Sequence, residues 1–150
     1  MLRINKLDNN YKFYGHEVNI KAKSENNSFR GTPRELYDIL TGIWCEYTCA
    51  PRLRAKWSPS NKTLGQCSIT AFLAQDLFGG KVFGVELPDG NYHCYNSVEN
   101  QIFDLTSEQF PDIVLPYDNN PEQFREIHFA SEEKQKRYNY LKQKLEEQLR

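Results

Sequence analysis

No run of the sequence approaches the ~18 consecutive apolar residues that a membrane-spanning helix needs. Neither sign of charge dominates: 19 Lys and Arg stand against 20 Asp and Glu, a formal net charge of −1. That balance argues against a module held to nucleic acid by phosphate contacts. The first residues, Met1-Leu2-Arg3-Ile4-Asn5-Lys6, contain no apolar signal core and no cleavage site, so a cytoplasmic protein is expected. Cysteine is scarce, 4 residues in 150, and no Cys-x2-Cys pair occurs. In a reducing compartment these thiols stay free, and a pair of disulfides is the weaker reading. A zinc site built from Cys45, Cys49, His93 and Cys94 would have four soft ligands, but their spacing fits none of the usual zinc patterns. Neither a metal nor a cofactor is therefore expected. Internal repeats and low-complexity tracts are also missing.

What is present suits one domain over residues 1–150. A chain of this length buries roughly 68–70% of its unfolded surface and needs no staples. Hydrophobic residues make up 39% and aromatics 13%, as in a globular protein rather than a disordered one. Residues 1–30 alternate short apolar and polar pieces around the loop-forming stretch Ser24-Glu25-Asn26-Asn27-Ser28. They read as a peripheral hairpin or loosely attached extension of a core spanning 32–145.

The first helix starts at a capping box, Thr32-Pro33-Arg34-Glu35, with Pro at the first helical position. Leu36, Ile39, Leu40, Ile43 and Trp44 then repeat at steps of three and four, which predicts a helix to about Cys45. A connection rich in Pro, Ser and Asn covers roughly residues 50–64. The stretch from Ser68 to Phe78 is apolar on nearly every side, the mark of a buried helix. Gly79-Gly80 ends it.

Lys81 to Leu87 and Tyr92 to Val98 read as two strands joined through Asp89-Gly90. Gln101 to Thr106 is a third, after a turn at Glu99-Asn100. Ser131 to Arg150 is a charged amphipathic helix with Tyr138, Leu141 and Leu145 on one stripe. It reads as a solvated face with one packed stripe, or as a partner surface. Helix, buried helix, antiparallel meander, helix is an α+β order, without alternating βα units.

Of the four cysteines, Cys67 alone opens the buried helix, where unpaired amides and the helix dipole favour a thiolate. A nucleophile of this kind needs a base. With Asp89-Gly90 as a two-residue turn, Glu86 faces His93. With Glu99-Asn100 as the next turn, Tyr95 faces Asp104, and Asp104 becomes a diagonal neighbour of His93 on one face. A carboxylate there holds the imidazole in one tautomer. A one-residue change in either turn alters these neighbours.

The expectation is a nucleophile, base and orienter, Cys67, His93 and Asp104, acting on an amide, ester or thioester of a peptide, protein or small molecule. The Cys67 amide and the Gln66 side chain are candidate oxyanion donors. Asn96 is a candidate pocket residue and Trp57 a candidate lid. Each has a plainer reading. His93 suits a cross-strand polar pair, Asp104 a turn cap, Gln66 a helix cap, Asn96 a loop hydrogen bond and Trp57 a core plug.

Gly65-Gln66-Cys67 followed by a strand His and an Asp on the next strand resembles the papain-like and transglutaminase-like cysteine hydrolase superfamily. More closely, the sequence resembles the YunG-like family of small bacterial proteins. The matching pieces are Trp57-Ser58-Pro59-Ser60-Asn61, Gly65-Gln66-Cys67, Thr70-Ala71, Gln75-Asp76-Leu77-Phe78-Gly79-Gly80, His93 with Asn96, Asp104-Leu105-Thr106, Gln109-Phe110, and Arg137-Tyr138 with Leu141. The resemblance covers about residues 35–145 and implies a compact papain-like fold. Two departures stand out: the 1–30 stretch is long for the family, and Cys94 stands where an aromatic is expected. The competing functional expectation is a non-catalytic binding or scaffold module of the same fold. A third is an injected effector of deamidase type, which would need a delivery route.

Overall fold

The computed structural model describes residues 11–150. Its helices are α1 (Pro33–Leu40), α2 (Cys67–Phe78), the single turn α3 (Arg125–His128) and α4 (Glu132–Gln148), with a 3-10 segment at Pro51–Lys56. The strands β1 (Lys81–Glu86), β2 (Tyr92–Val98), β3 (Gln101–Phe103) and β4 (Glu122–Gln123) form one antiparallel sheet in the order β3-β2-β1-β4. The architecture is α+β.

Helix α2 is the centre of the core. Ile69, Thr70, Ala71, Phe72, Leu73, Ala74, Leu77 and Phe78 are all buried, which matches a segment without a polar face. One sheet face, carrying Val82, Cys94, Val98 and Phe103, belongs to the same core. The other carries Phe83, Val85 and Tyr95 and is covered by Phe110, Leu115 and Tyr117 from the loop between β3 and β4. Helix α4 adds Tyr138, Leu141 and Leu145, the stripe expected from its spacing. Arg125 ties the two helices: its Nη2 donates to the Phe72 carbonyl (3.1 Å), Gln75 Oε1 (3.0 Å) and Asp76 Oδ1 (2.8 Å). The Tyr138 hydroxyl donates to the other oxygen of Asp76.

The capping box at α1 is formed, with Thr32 N donating to Glu35 Oε1 at 2.8 Å and Thr32 Oγ1 accepting from Glu35 N. The helix nevertheless stops at Leu40, short of Cys45. Gly42 is a poor helix former, and Lys62 Nζ takes the Thr41 carbonyl at 2.7 Å. Ile43 N and Trp44 N both turn to the Leu40 carbonyl.

The hairpin register also differs from expectation. Val85, not Glu86, faces His93. Leu87 N donates to the Asn91 carbonyl at 2.7 Å, which leaves Pro88-Asp89-Gly90 as a three-residue loop with Gly90 at φ 87°. Asp89 Oδ1 accepts from Asn91 N at 2.9 Å and stabilises this longer loop. At the second turn Val98 faces Gln101, with Glu99 and Asn100 both at positive φ, as expected of Asn-containing tight turns. Strand β3 ends at Phe103, earlier than Thr106. Asp104 bridges instead to Tyr14, its N donating to the Tyr14 carbonyl.

The reading of residues 1–30 as peripheral is corrected for residues 11–30; residues 1–10 of that stretch lie outside the described residues. Phe13, Val18, Ile20, Ala22 and Phe29 are buried in the main core. Val18, Ile20 and Ala22 alternate inward while their neighbours face out, so the segment is an extended strap and not a hairpin. Its backbone is pinned by Ala22 N to the Gly31 carbonyl (2.8 Å) and by Asp104 N to the Tyr14 carbonyl (2.9 Å). Phe13→Ala should therefore cost about 3–5 kcal/mol of unfolding free energy, read from urea transitions. A cost below about 1 kcal/mol would return the strap to the periphery.

Candidate active site

Cys67 is the first residue of α2, where a helical amide has no intrahelical acceptor. The chain enters the helix through Gly65, at φ 72°, where a Cβ would lie 2.5 Å from Cys49 Sγ and 3.0 Å from Ala50 N. Only glycine combines that backbone angle with that approach. The Cys67 thiol lies half-buried at the end of β2, with Sγ 3.8 Å from the Tyr92 carbonyl. Cys94 and His93 act on it electrostatically.

His93 and Asp104 are each 1% exposed, and His93 Nε2 is 2.7 Å from Asp104 Oδ2. The register at Glu99-Asn100 places them side by side. The Tyr117 hydroxyl donates to the same Oδ2 at 2.7 Å, and Oδ1 accepts from Thr106 N (3.2 Å) and Thr106 Oγ1 (3.4 Å). The carboxylate is thus held on both oxygens and occupies Nε2 of the imidazole. Nδ1 is left on the thiol side, with the Gln109 amide 3.5 Å away and the Phe110 ring edge-on at 5.0 Å.

Burial by itself would lower the pKa of His93. The charge and hydrogen bond of Asp104, joined by Cys67, outweigh it and push the imidazole up to about 10. Cys67 moves the other way, well below the ordinary thiol range. The hydrogen bond from Cys94 is the largest cause; burial opposes it, and the hydrogen bond and charge of His93 add to it. Cys94 is raised by that same bond and by burial, so it stays a thiol and donates. Burial and Asp104 raise Tyr117, which keeps its proton for the carboxylate. Both shifts favour a thiolate on Cys67 and a protonated ring on His93.

A cleft of about 860 Å³ opens over this group, lined by Cys67, Ser68, His93, Gln109, Phe110 and Lys134 among others. The other residues singled out in the sequence do not line it. Gln66 is fully buried and donates from Nε2 to the Cys45 carbonyl at 3.1 Å; it makes no cap bond, and its Oε1 has no partner. It props the turn after α1 and faces away from an oxyanion position. Asn96, 2% exposed, donates from Nδ2 to the Ala71 carbonyl at 2.9 Å and ties β2 to α2. Trp57 bonds through Nε1 to the Lys62 carbonyl at 3.0 Å within its own loop and forms no lid. Of the named oxyanion donors, the Cys67 amide retains a suitable position.

All four cysteines are free. Among the described residues no group of three or more His, Cys, Asp or Glu is gathered to hold a metal ion. Sequence reasoning missed Tyr117, which lies in a Pro- and Asn-rich loop without periodicity. It also gave Lys134 to a solvated helix face. Gln109 and Cys94 were visible, the first as part of a matching motif and the second as a departure from it.

The fold and site define an α+β protein with a cysteine, a histidine and an aspartate aligned at one cleft. The chain belongs to the YunG family: residues 32–150 match the family described as YunG protein. It is 33% identical over 105 residues to "Uncharacterized protein YunG" of Bacillus subtilis (strain 168), covering 70% of this chain and 84% of that one. No solved structure matches.

Iodoacetamide should label Cys67 ahead of Cys45, Cys49 and Cys94, as peptide mapping will show. Because the folded pKa of Cys67 is depressed, its thiolate persists, and its labelling continues, as pH falls below the ordinary thiol range near ~8.5. His93→Gln and Cys94→Ala should each move that profile upward. A profile unmoved by His93→Gln would show that the ring does not govern the thiol.

Proposed function

We propose that the protein is a cysteine hydrolase or acyltransferase that attacks an amide, ester or thioester carbonyl through Cys67, His93 and Asp104. The observation that carries this reading is the placement of Cys67 and His93 on one open cleft, with the buried 2.7 Å link from His93 to Asp104 behind them. We read the fold as papain-like on the same ground: a cysteine opening a buried helix, with base and orienter supplied by an antiparallel sheet.

The steps follow from the positions. The Cys67 thiolate adds to the carbonyl carbon, and the developing oxyanion lies near the Cys67 amide, whose dipole is aligned with the helix. The His93 imidazolium gives its Nδ1 proton to the leaving group as the carbon–heteroatom bond breaks, leaving a thioester on Cys67. Water or an amine then loses a proton to Nδ1 and displaces the sulfur. Asp104 takes no proton in these steps and fixes the ring.

The test uses p-nitrophenyl acetate. A burst of p-nitrophenol should accompany an acetyl adduct that maps to Cys67. Cys67→Ala should abolish both, and His93→Gln should slow the burst by about 10²–10⁴-fold. Acetylation spread over Cys45 and Cys49, or a burst indifferent to His93→Gln, would leave the cleft as a binding surface without catalysis.

A further inference from the structure

Three lysine and arginine side chains line the cleft: Arg52, Lys134 and Arg137. Arg137 is paired with Glu133 through Nε at 2.5 Å, and Arg54 shares that carboxylate at 3.6 Å. Arg52 is paired with Asp89 at 3.4 Å. Lys134 lines the same cleft as Cys67 and His93, and forms no ion pair among the described residues. Its Nζ lies 2.9 Å from His128 Nδ1.

His128 is a neutral acceptor. Its Nε2 is 2.9 Å from Gln123 Oε1, and the Gln123 Nε2 is directed at the Pro121 carbonyl, so the oxygen faces the ring. Nε2 therefore carries the ring hydrogen, and the Nδ1 lone pair accepts from Lys134. Burial, then the lysine charge, push His128 down to about 4, which keeps it neutral. Its ring is braced on Phe72, with centroids 5.1 Å apart. The relay Gln123–His128–Lys134 fixes the direction of an ammonium without neutralising it. A half-buried charge that has lost part of its water gains most from an incoming anion.

We infer that Lys134 is the anion-recognition residue of this cleft, and that the acyl group taken by Cys67 carries a carboxylate close to the reacting carbonyl. This rests on the reading of Cys67 as nucleophile. Lys134 is a positioning and specificity residue. It takes no part in the proton transfers, which belong to His93. Lys134 and Cys67 line one cleft, so a carboxylate held by the lysine would share that cleft with the sulfur. His128 would remain neutral through the cycle and serve only to aim the lysine.

Two alkylating reagents of nearly equal size separate the possibilities. In both, Cys67 Sγ displaces iodide from a CH₂ carbon; iodoacetate carries a carboxylate and iodoacetamide a neutral amide. The rates at Cys67 are to be measured by peptide mapping in the wild type, Lys134→Gln and Lys134→Arg, each checked for its thermal transition. Lys134→Gln should lower the iodoacetate rate about tenfold and leave the iodoacetamide rate within about twofold. Lys134→Arg, which keeps the charge, should retain the preference for iodoacetate. Added salt should erode it in the wild type more than in Lys134→Gln. The His93 imidazolium is common to all three proteins, so the ratio of the two rates reports Lys134 alone.

Equal slowing of both reagents by Lys134→Gln would overturn the inference, because the lysine would then act on the thiolate itself. An unchanged ratio would overturn it as well. Failure of both reagents to select Cys67 in the wild type would remove the nucleophile, and with it this reading. That outcome is visible before any variant is made.

Discussion

A carboxylate and an imidazole, each 1% exposed, lie 2.7 Å apart inside this molecule. Ionised groups leave water at a cost of several kcal/mol, and the cost is offset only by good partners on every lone pair. Much of the surrounding structure answers that requirement. Thr106 serves one oxygen of Asp104, while Tyr117 and His93 serve the other. The loop between β3 and β4 brings Tyr117, Phe110 and Leu115 over the sheet, so the same segment that satisfies the carboxylate also excludes water from the ring. Tyr14, stacked on Tyr117 with centroids 4.1 Å apart, links this loop to the strap.

The thiol is positioned by a different set of forces. Helix α2 is fixed by apolar burial along its length, by Asn96 on the Ala71 carbonyl, and by Arg125 and Tyr138 at Asp76. Its first turn is set by Gly65 and by Gln66, which anchors inward on the Cys45 carbonyl. Cys67 therefore belongs to the packed layer, and His93 and Asp104 belong to the sheet face covered by a loop. They meet at the first residues of β2, where Cys67 Sγ lies 3.8 Å from the carbonyl of Tyr92, the residue before His93 and Cys94. Side chains on successive strand positions point to opposite faces. Cys94 thus reaches the sulfur from the helix side and His93 from the other.

How far the sequence discloses this can be judged residue by residue. The capping box, the buried helix, the second tight turn and the Tyr138–Leu141–Leu145 stripe follow from local patterns and take the expected form. The proximity of His93 and Asp104 follows from the second turn alone. It survived the error at the first, where Asp89-Gly90 sits in a three-residue loop stabilised by Asp89 on Asn91. What stayed hidden depends on contacts distant in sequence. The strap residues Phe13 to Ala22 have few apolar positions and no periodic partner, so their burial is visible only once the core exists. Gln66 and Trp57 sit near chemistry in sequence, yet their hydrogen bonds to the Cys45 and Lys62 carbonyls turn them away from it. Lys134 looks like any residue of a charged helix until His128 and Gln123 come beside it.

Gly65 and Cys49 also bear on how this sequence can drift. Two separate demands meet at Gly65: a φ of 72° and a gap that Cys49 Sγ closes to 2.5 Å from any Cβ. A smaller side chain at position 49 removes the closest contact but leaves Ala50 N at 3.0 Å and the φ untouched. No single replacement at 49 therefore opens position 65 to a larger side chain. The glycine is locked by backbone geometry, and the fully buried Cys49 fills the space beside it.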